Sequence, residues 1–86
     1  MDTHQIAKLA EKIHKAIMAV PPVKLGVLSR SFNLSELGAP EAIDAALVQL
    51  NASEQDARAT WSRGEWGKFT GTGPLSVYIT RKLDLR

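Results

Sequence analysis

The chain of 86 residues has no cysteine, two histidines and five aromatic residues. Without cysteine there is neither a disulfide framework nor a thiolate metal site, which fits a reducing compartment; a cytoplasmic location is the expectation. Long apolar runs are missing too. The best of them, IMAVPPV, is interrupted by Pro21 and Pro22 and falls far short of the roughly 20 residues that span a bilayer. The first residues carry Asp2 and Glu11 and no arginine, so neither a signal nor a transit peptide is expected. No membrane partner is expected. Lysine and arginine are absent between Arg30 and Arg58.

Catalysis has little to work with. His4 and His14 are ten residues apart and point to different faces of one helix. The serines lack the setting of a nucleophile elbow. The run GEWGKFTGTG has the glycines and the Gly-Lys pair of a phosphate loop, but its spacing is wrong and Phe69 replaces the required Ser or Thr after Lys68. No enzyme, metal site, cofactor or small-molecule substrate is expected.

What is present is a globular composition, 44% apolar and 23% charged, with a net charge of +2. Its length suits one domain, residues 1–86. Charge is unevenly placed. Residues 1–24 sum to +2, residues 25–56 to −4 and residues 57–86 to +4, so an acidic middle lies between basic ends.

Periodicity predicts the elements. Ile6, Leu9, Ala10, Ile13, Ile17 and Val20 recur at helical spacing, predicting a helix over 3–19 that Thr3 or Asp2 caps and Pro21 ends. Lys8, Lys12 and Lys15 mark its wet side. KLGVLSRSF predicts a shorter helix over 24–32 with Leu25, Leu28 and Phe32 inward. Gly38 is expected to end a helical turn after Leu34 and Leu37. A third helix over 40–52 begins at Pro40 and Glu41 and buries Ile43, Ala46, Leu47 and Leu50. After Asp56 the period becomes 2: Ala57, Ala59 and Trp61, then Leu75, Val77 and Ile79, predict a hairpin over 57–81. Its long glycine-rich loop is expected to carry a short strand through Trp66 and Phe69, and a further strand near Val23 is expected to complete the sheet.

LGVLSRSFNLSELGAPEAIDAALVQL followed by WSRGEWGKFTGTGPLSVYI resembles the winged helix-turn-helix superfamily across nearly the whole chain. The resemblance implies an α+β fold in which the second and third helices form the helix-turn-helix and the hairpin is the wing. It also implies a nucleic-acid-binding regulator as the commonest function. In DNA-binding members the third helix enters the major groove. The matching surface here is Glu41, Asp44, Ala45 and Val48, which opposes a polyanion; Gln49 and Asn51 are its only base-reading side chains. The wing suits DNA better. Arg58, Arg63, Trp66, Lys68, Arg81 and Lys82 interleave cations with an aromatic ring, a pattern fit for backbone contact and stacking. Trp61 shares phase with Ala57 and Ala59 and belongs to the core, whereas Trp66, between Arg63 and Lys68, is not explained by packing. The alternative is protein contact: Glu41, Ala45, Val48 and Ala52 form a small, nearly apolar stripe suited to a homodimer or a partner protein.

Overall fold

A computed structural model describes residues 3–66 and 76–85. The element order is α1 (Thr3–Met18), β1 (Val27–Asn33), α2 (Leu34–Leu37), α3 (Pro40–Ser53), β2 (Ala59–Arg63) and β3 (Ser76–Leu83). The expected positions Asp2, Lys68, Phe69, Leu75 and Arg86 lie outside the described residues.

The chain is α+β. Its three strands form one antiparallel sheet in the order β1-β3-β2. Helices α1 and α3 pack on each other and on one face of that sheet. Ala10, Ile13 and Ile17 from α1 meet Ile43, Ala46, Leu47 and Leu50 from α3, and Phe32, Trp61, Val77 and Ile79 from the strands close the core. The stripes read from sequence in α1 and α3 are the faces the fold buries. The partial burial of Ile6 and Leu9 extends the α1 stripe by a turn.

The segment 24–32 is a correction: it is not a helix. Residues 27–33 form β1, and the helical turn between β1 and α3 is Leu34–Leu37. Leu28 and Phe32 are four apart, a spacing that also puts them on one face of a strand, so a short apolar run leaves the two periods undecided. Two physical terms decide it. Gly26 has φ 79 and sits in a tight turn closed by Val27 N–H to the Lys24 carbonyl, 3.0 Å, which stops any helix there. The eight-residue β3 then pairs with β1 along its whole length, from Val27 opposite Lys82 to Asn33 opposite Ser76. Leu25, at the tip of that turn, is 85% exposed rather than inward. The extra strand expected near Val23 is only an isolated bridge between Lys24 and Val27, and Trp66 lies in no strand.

Register sorts the sheet into two faces. Leu28, Arg30 and Phe32, Val77, Ile79 and Arg81, and Ala59, Trp61 and Arg63 share the helix side. Ser29, Ser31, Ser76, Tyr78, Thr80, Lys82, Thr60 and Ser62 share the other. That outer face is hydroxyl-rich, and the Ser29 and Thr80 hydroxyls bond across it at 3.0 Å.

Candidate functional site

The acidic middle and the basic end of the chain meet along the line where α3 abuts the hairpin. Arg63 reaches back from β2 to α3. Its Nε donates to Asp44 Oδ1 at 2.6 Å and its Nη2 to Oδ2 at 3.3 Å, while Nη1 donates to the Gly64 carbonyl at 3.0 Å. The same guanidinium lies 4.0 Å from the ring centroid of Trp66. Arg58 forks onto Asp56 at 3.1 and 3.0 Å. Arg81 donates to Glu54 Oε1 at 2.7 Å, and both side chains are nearly buried.

Three of the cations assigned to a wing contact, Arg58, Arg63 and Arg81, are therefore partnered by carboxylates. Each pairing reduces the positive field available to a phosphate. Lys82 is exposed on the outer face of the sheet and shares a pocket lining with Arg58 and Asp84, and Lys68 lies outside the described residues. Trp66 is half-buried against the core and covered on one side by Arg63, so packing does explain it. The lysines of α1 have local duties: Lys12 donates to the Glu36 carbonyl at 2.6 Å and Lys15 pairs with Glu11 at 3.0 Å.

Glu54 is the electrostatic node of this seam. It follows the C-terminus of α3 and accepts from Arg81, from Trp61 Nε1 at 2.9 Å and from the Asp56 backbone at 3.1 Å. The Arg81 guanidinium above all holds its carboxyl down to about 2, against the opposing effect of burial. Asn51, one turn earlier, spends both ends of its amide on Trp61. Its Oδ1 accepts from the Trp61 N–H at 2.8 Å and its Nδ2 donates to the Trp61 carbonyl at 2.9 Å. Asn51 is thus not available to read a base, as the sequence allowed.

A pocket of about 310 Å³ opens beside this node, lined by His14, Leu50, Ser53, Glu54, Gln55 and Trp61. It offers a ligand little. Trp61 is 2% exposed, and both oxygens of Glu54 are engaged. The Ser53 hydroxyl donates to the Gln49 carbonyl. His14 lies 5.7 Å from the Trp61 ring, tilted by 37°. Among the described residues no three His, Cys, Asp or Glu side chains converge as a metal ion requires.

The outer side of α3 is different. Val48 is 70% exposed, Glu41 and Ala52 are exposed and Ala45 is half-buried. Asp44 borders this face with its charge turned to Arg63. Sequence reasoning placed these residues on the outer side of α3, took Asn51 for a base reader and passed over Glu54; the partners of Asn51 and Glu54 are ten and twenty-seven positions away. No local pattern marks such pairs. Comparison with protein families, with curated proteins and with solved structures finds no match to this chain. Among the described residues no helix is long and apolar enough to cross a membrane.

Proposed function

We propose that this chain is a non-enzymatic protein-interaction module of winged-helix type that docks a partner protein on the outer face of α3. The fold-level part rests on the helical turn α2, the two-residue break before α3, and the hairpin that follows, with β1 added to its sheet. The functional part rests on one observation. Val48 holds an isopropyl group 70% exposed in mid-helix, between Ala45 and Ala52, on a helix that carries no lysine or arginine. Covering an apolar side chain of this size is worth about 1.5–3 kcal/mol, and small neighbours let a partner's backbone come close. Glu41 at the rim favours a partner with a basic residue there.

A photo-crosslinking residue placed at position 48 tests this. It is expected to capture a discrete partner from an extract of the source cells, whereas the same group at position 78 is not, and Val48→Glu is expected to abolish the native interaction. Equal capture at both positions, or none at 48, defeats the reading.

A second reading, nucleic-acid binding, is favoured by Tyr78 and Lys82. Tyr78 is 61% exposed on the helix-free face of the sheet, Lys82 is on the same face, and none of the strand residues there carries a carboxylate. Ring and cation together suit a stacked base beside a phosphate. The wing cations Arg58, Arg63, Lys68 and Arg81 would add to this only where a phosphate displaces their carboxylates. Titration with duplex, single-stranded DNA and RNA over a range of salt decides it. Steep salt dependence that Lys82→Ala flattens supports it, and absence of binding at low salt ends it.

A further inference from the structure

The two edges of the sheet are treated differently. At β2, Asp84 N–H donates to the Arg58 carbonyl and Gly64 N–H to the Tyr78 carbonyl, both 2.9 Å. Residues in phase with these bond to β3, so Ala59 and Trp61 turn their backbone groups to the free edge. That edge is engaged at Ala59 and Trp61, while Arg63 shares their outward phase. Ala59 N–H donates to the Asp56 carbonyl, and the Asn51 amide satisfies Trp61 in both directions, as a neighbouring strand would.

At β1, Leu83 N–H donates to the Gly26 carbonyl at 2.8 Å. Leu28, Arg30 and Phe32 share that phase, so Val27, Ser29, Ser31 and Asn33 face outward. The ends of this edge are stopped. Val27 is occupied on both sides, its N–H by Lys24 and its carbonyl by Val23. Asn33 N–H donates to Glu36 Oε2 at 2.9 Å. Between them, among the described residues, Ser29 and Ser31 have no backbone partner on that side; the Asn33 carbonyl, at the N-cap of α2, accepts from the Leu37 N–H and keeps one lone pair. The stretch 29–33 contains no proline, glycine, lysine or carboxylate, and its outward side chains are small. A bare strand edge of this kind is a template for another strand.

We propose that two copies of this chain join antiparallel through β1, with Ser31 opposite the partner's Ser31, making one continuous sheet from two three-stranded ones. Charge selects this register and this occupant. Pairing centred on Arg30 would set two guanidinium groups against each other. Moving the centre to Ser31 places Arg30 opposite the partner's Phe32, a buried and uncharged side chain, and places Ser29 opposite the partner's Asn33. Each Ser31 then exchanges both backbone bonds with its mate, and each Ser29 N–H reaches the partner's Asn33 carbonyl. Asn33 N–H keeps Glu36. The open window is therefore complementary to itself in length and charge and exchanges backbone bonds at its centre, with the Ser29 carbonyl left to solvent because Asn33 N–H stays with Glu36; it is separate from the α3 face, so self-association and partner docking are independent.

Ser31→Pro is the direct test. It removes an outward N–H and leaves the bonds to β3 in place, a position where an edge strand tolerates proline. Light scattering across a concentration series is expected to give a dimer for the wild type and for Val48→Glu, and dimerisation weaker by on the order of tenfold or more for Ser31→Pro with its circular dichroism unchanged. Amide exchange gives a reading that needs no substitution. Protection of Ser29 and Ser31 is expected to rise with protein concentration, while that of Arg30 and Phe32 stays constant. A chain that is monomeric throughout overturns the proposal. So does a dimer that survives Ser31→Pro or is lost with Val48→Glu. Should Ser31→Pro fail to fold, concentration-independent exchange at Ser31 is decisive against it.

Discussion

The side-chain amide of Asn51, on α3, holds the backbone of Trp61, on β2, as a neighbouring strand would. It accepts from the N–H at 2.8 Å and donates to the carbonyl at 2.9 Å. The helix is thereby fastened to the sheet at a strand residue that also supplies a buried ring. Asn51→Ala leaves both groups without a protein partner, and urea unfolding is expected to show a loss of about 1–3 kcal/mol. Asn51→Asp is the sharper probe. It keeps the acceptor for the N–H but sets a carboxylate against the carbonyl, so a variant as stable as wild type would mean that the donated bond contributes nothing.

Stability is expected to fall in acid through Glu54. Its carboxyl is lowered from 4.5 to about 2, chiefly by Arg81. A carboxylate lowered on folding contributes fully above its unfolded pKa, and that contribution is lost as pH falls through the folded value. The window is therefore about pH 4.5 down to 2, and the contribution is on the order of 3 kcal/mol. Asp56, lowered to about 2 by Arg58, acts in the same direction. Glu54→Gln is expected to be less stable at neutral pH, where Arg81 loses its partner, and to flatten the profile in that window. An unchanged profile would show that Glu54 is not the group responsible.

Gly26 is expected to resist substitution. Its φ of 79 lies where a side chain costs about 1–2 kcal/mol. An added Cβ would also meet Leu85 Cδ1 at 3.0 Å and Leu83 Cβ at 3.3 Å. Gly26→Ala is expected to lower the urea midpoint by more than the backbone cost alone, because β3 is held to this turn by Leu83 N–H. A neutral effect would mean that the turn relaxes.

Arg63, Asp44 and Trp66 are expected to differ in weight. The Arg63–Asp44 pair is partly exposed, so Asp44→Asn is expected to change stability by less than about 1 kcal/mol. Trp66→Ala removes a half-buried ring and its cation contact and is expected to cost about 1–3 kcal/mol. The reverse order in thermal melts would mean that the ion pair, and not the ring, anchors the start of the loop. If nucleic acid is a ligand, Asp44→Asn also frees a cation and is expected to raise affinity at low salt.

The apolar stripes of α1 and α3 and the buried place of Trp61 were legible because each repeats with its own period and needs no distant partner to be recognised. β1 was not legible. Leu28 and Phe32 satisfy both periods, and Leu25 added weight to the wrong one although the fold leaves it 85% exposed. The charge blocks were legible as blocks, but not as pairs. Arg63, Arg58 and Arg81 read as free cations beside a loop, whereas Asp44, Asp56 and Glu54 stand against them.

By itself the sequence determined where α1 and α3 start and stop to within a residue, which of their faces are apolar, and that the second half alternates as strands do, because these follow from residue size, polarity and proline placement over a few turns of chain. Tertiary structure alone decided that 27–33 is a strand, that Arg58, Arg63 and Arg81 stand against carboxylates, and that Asn51 holds Trp61 at one edge of the sheet while Ser29 and Ser31 leave the other open. Those outcomes depend on hydrogen bonds and charges between segments far apart in the chain, and a backbone group has no preference between partners until folding brings one within 3 Å.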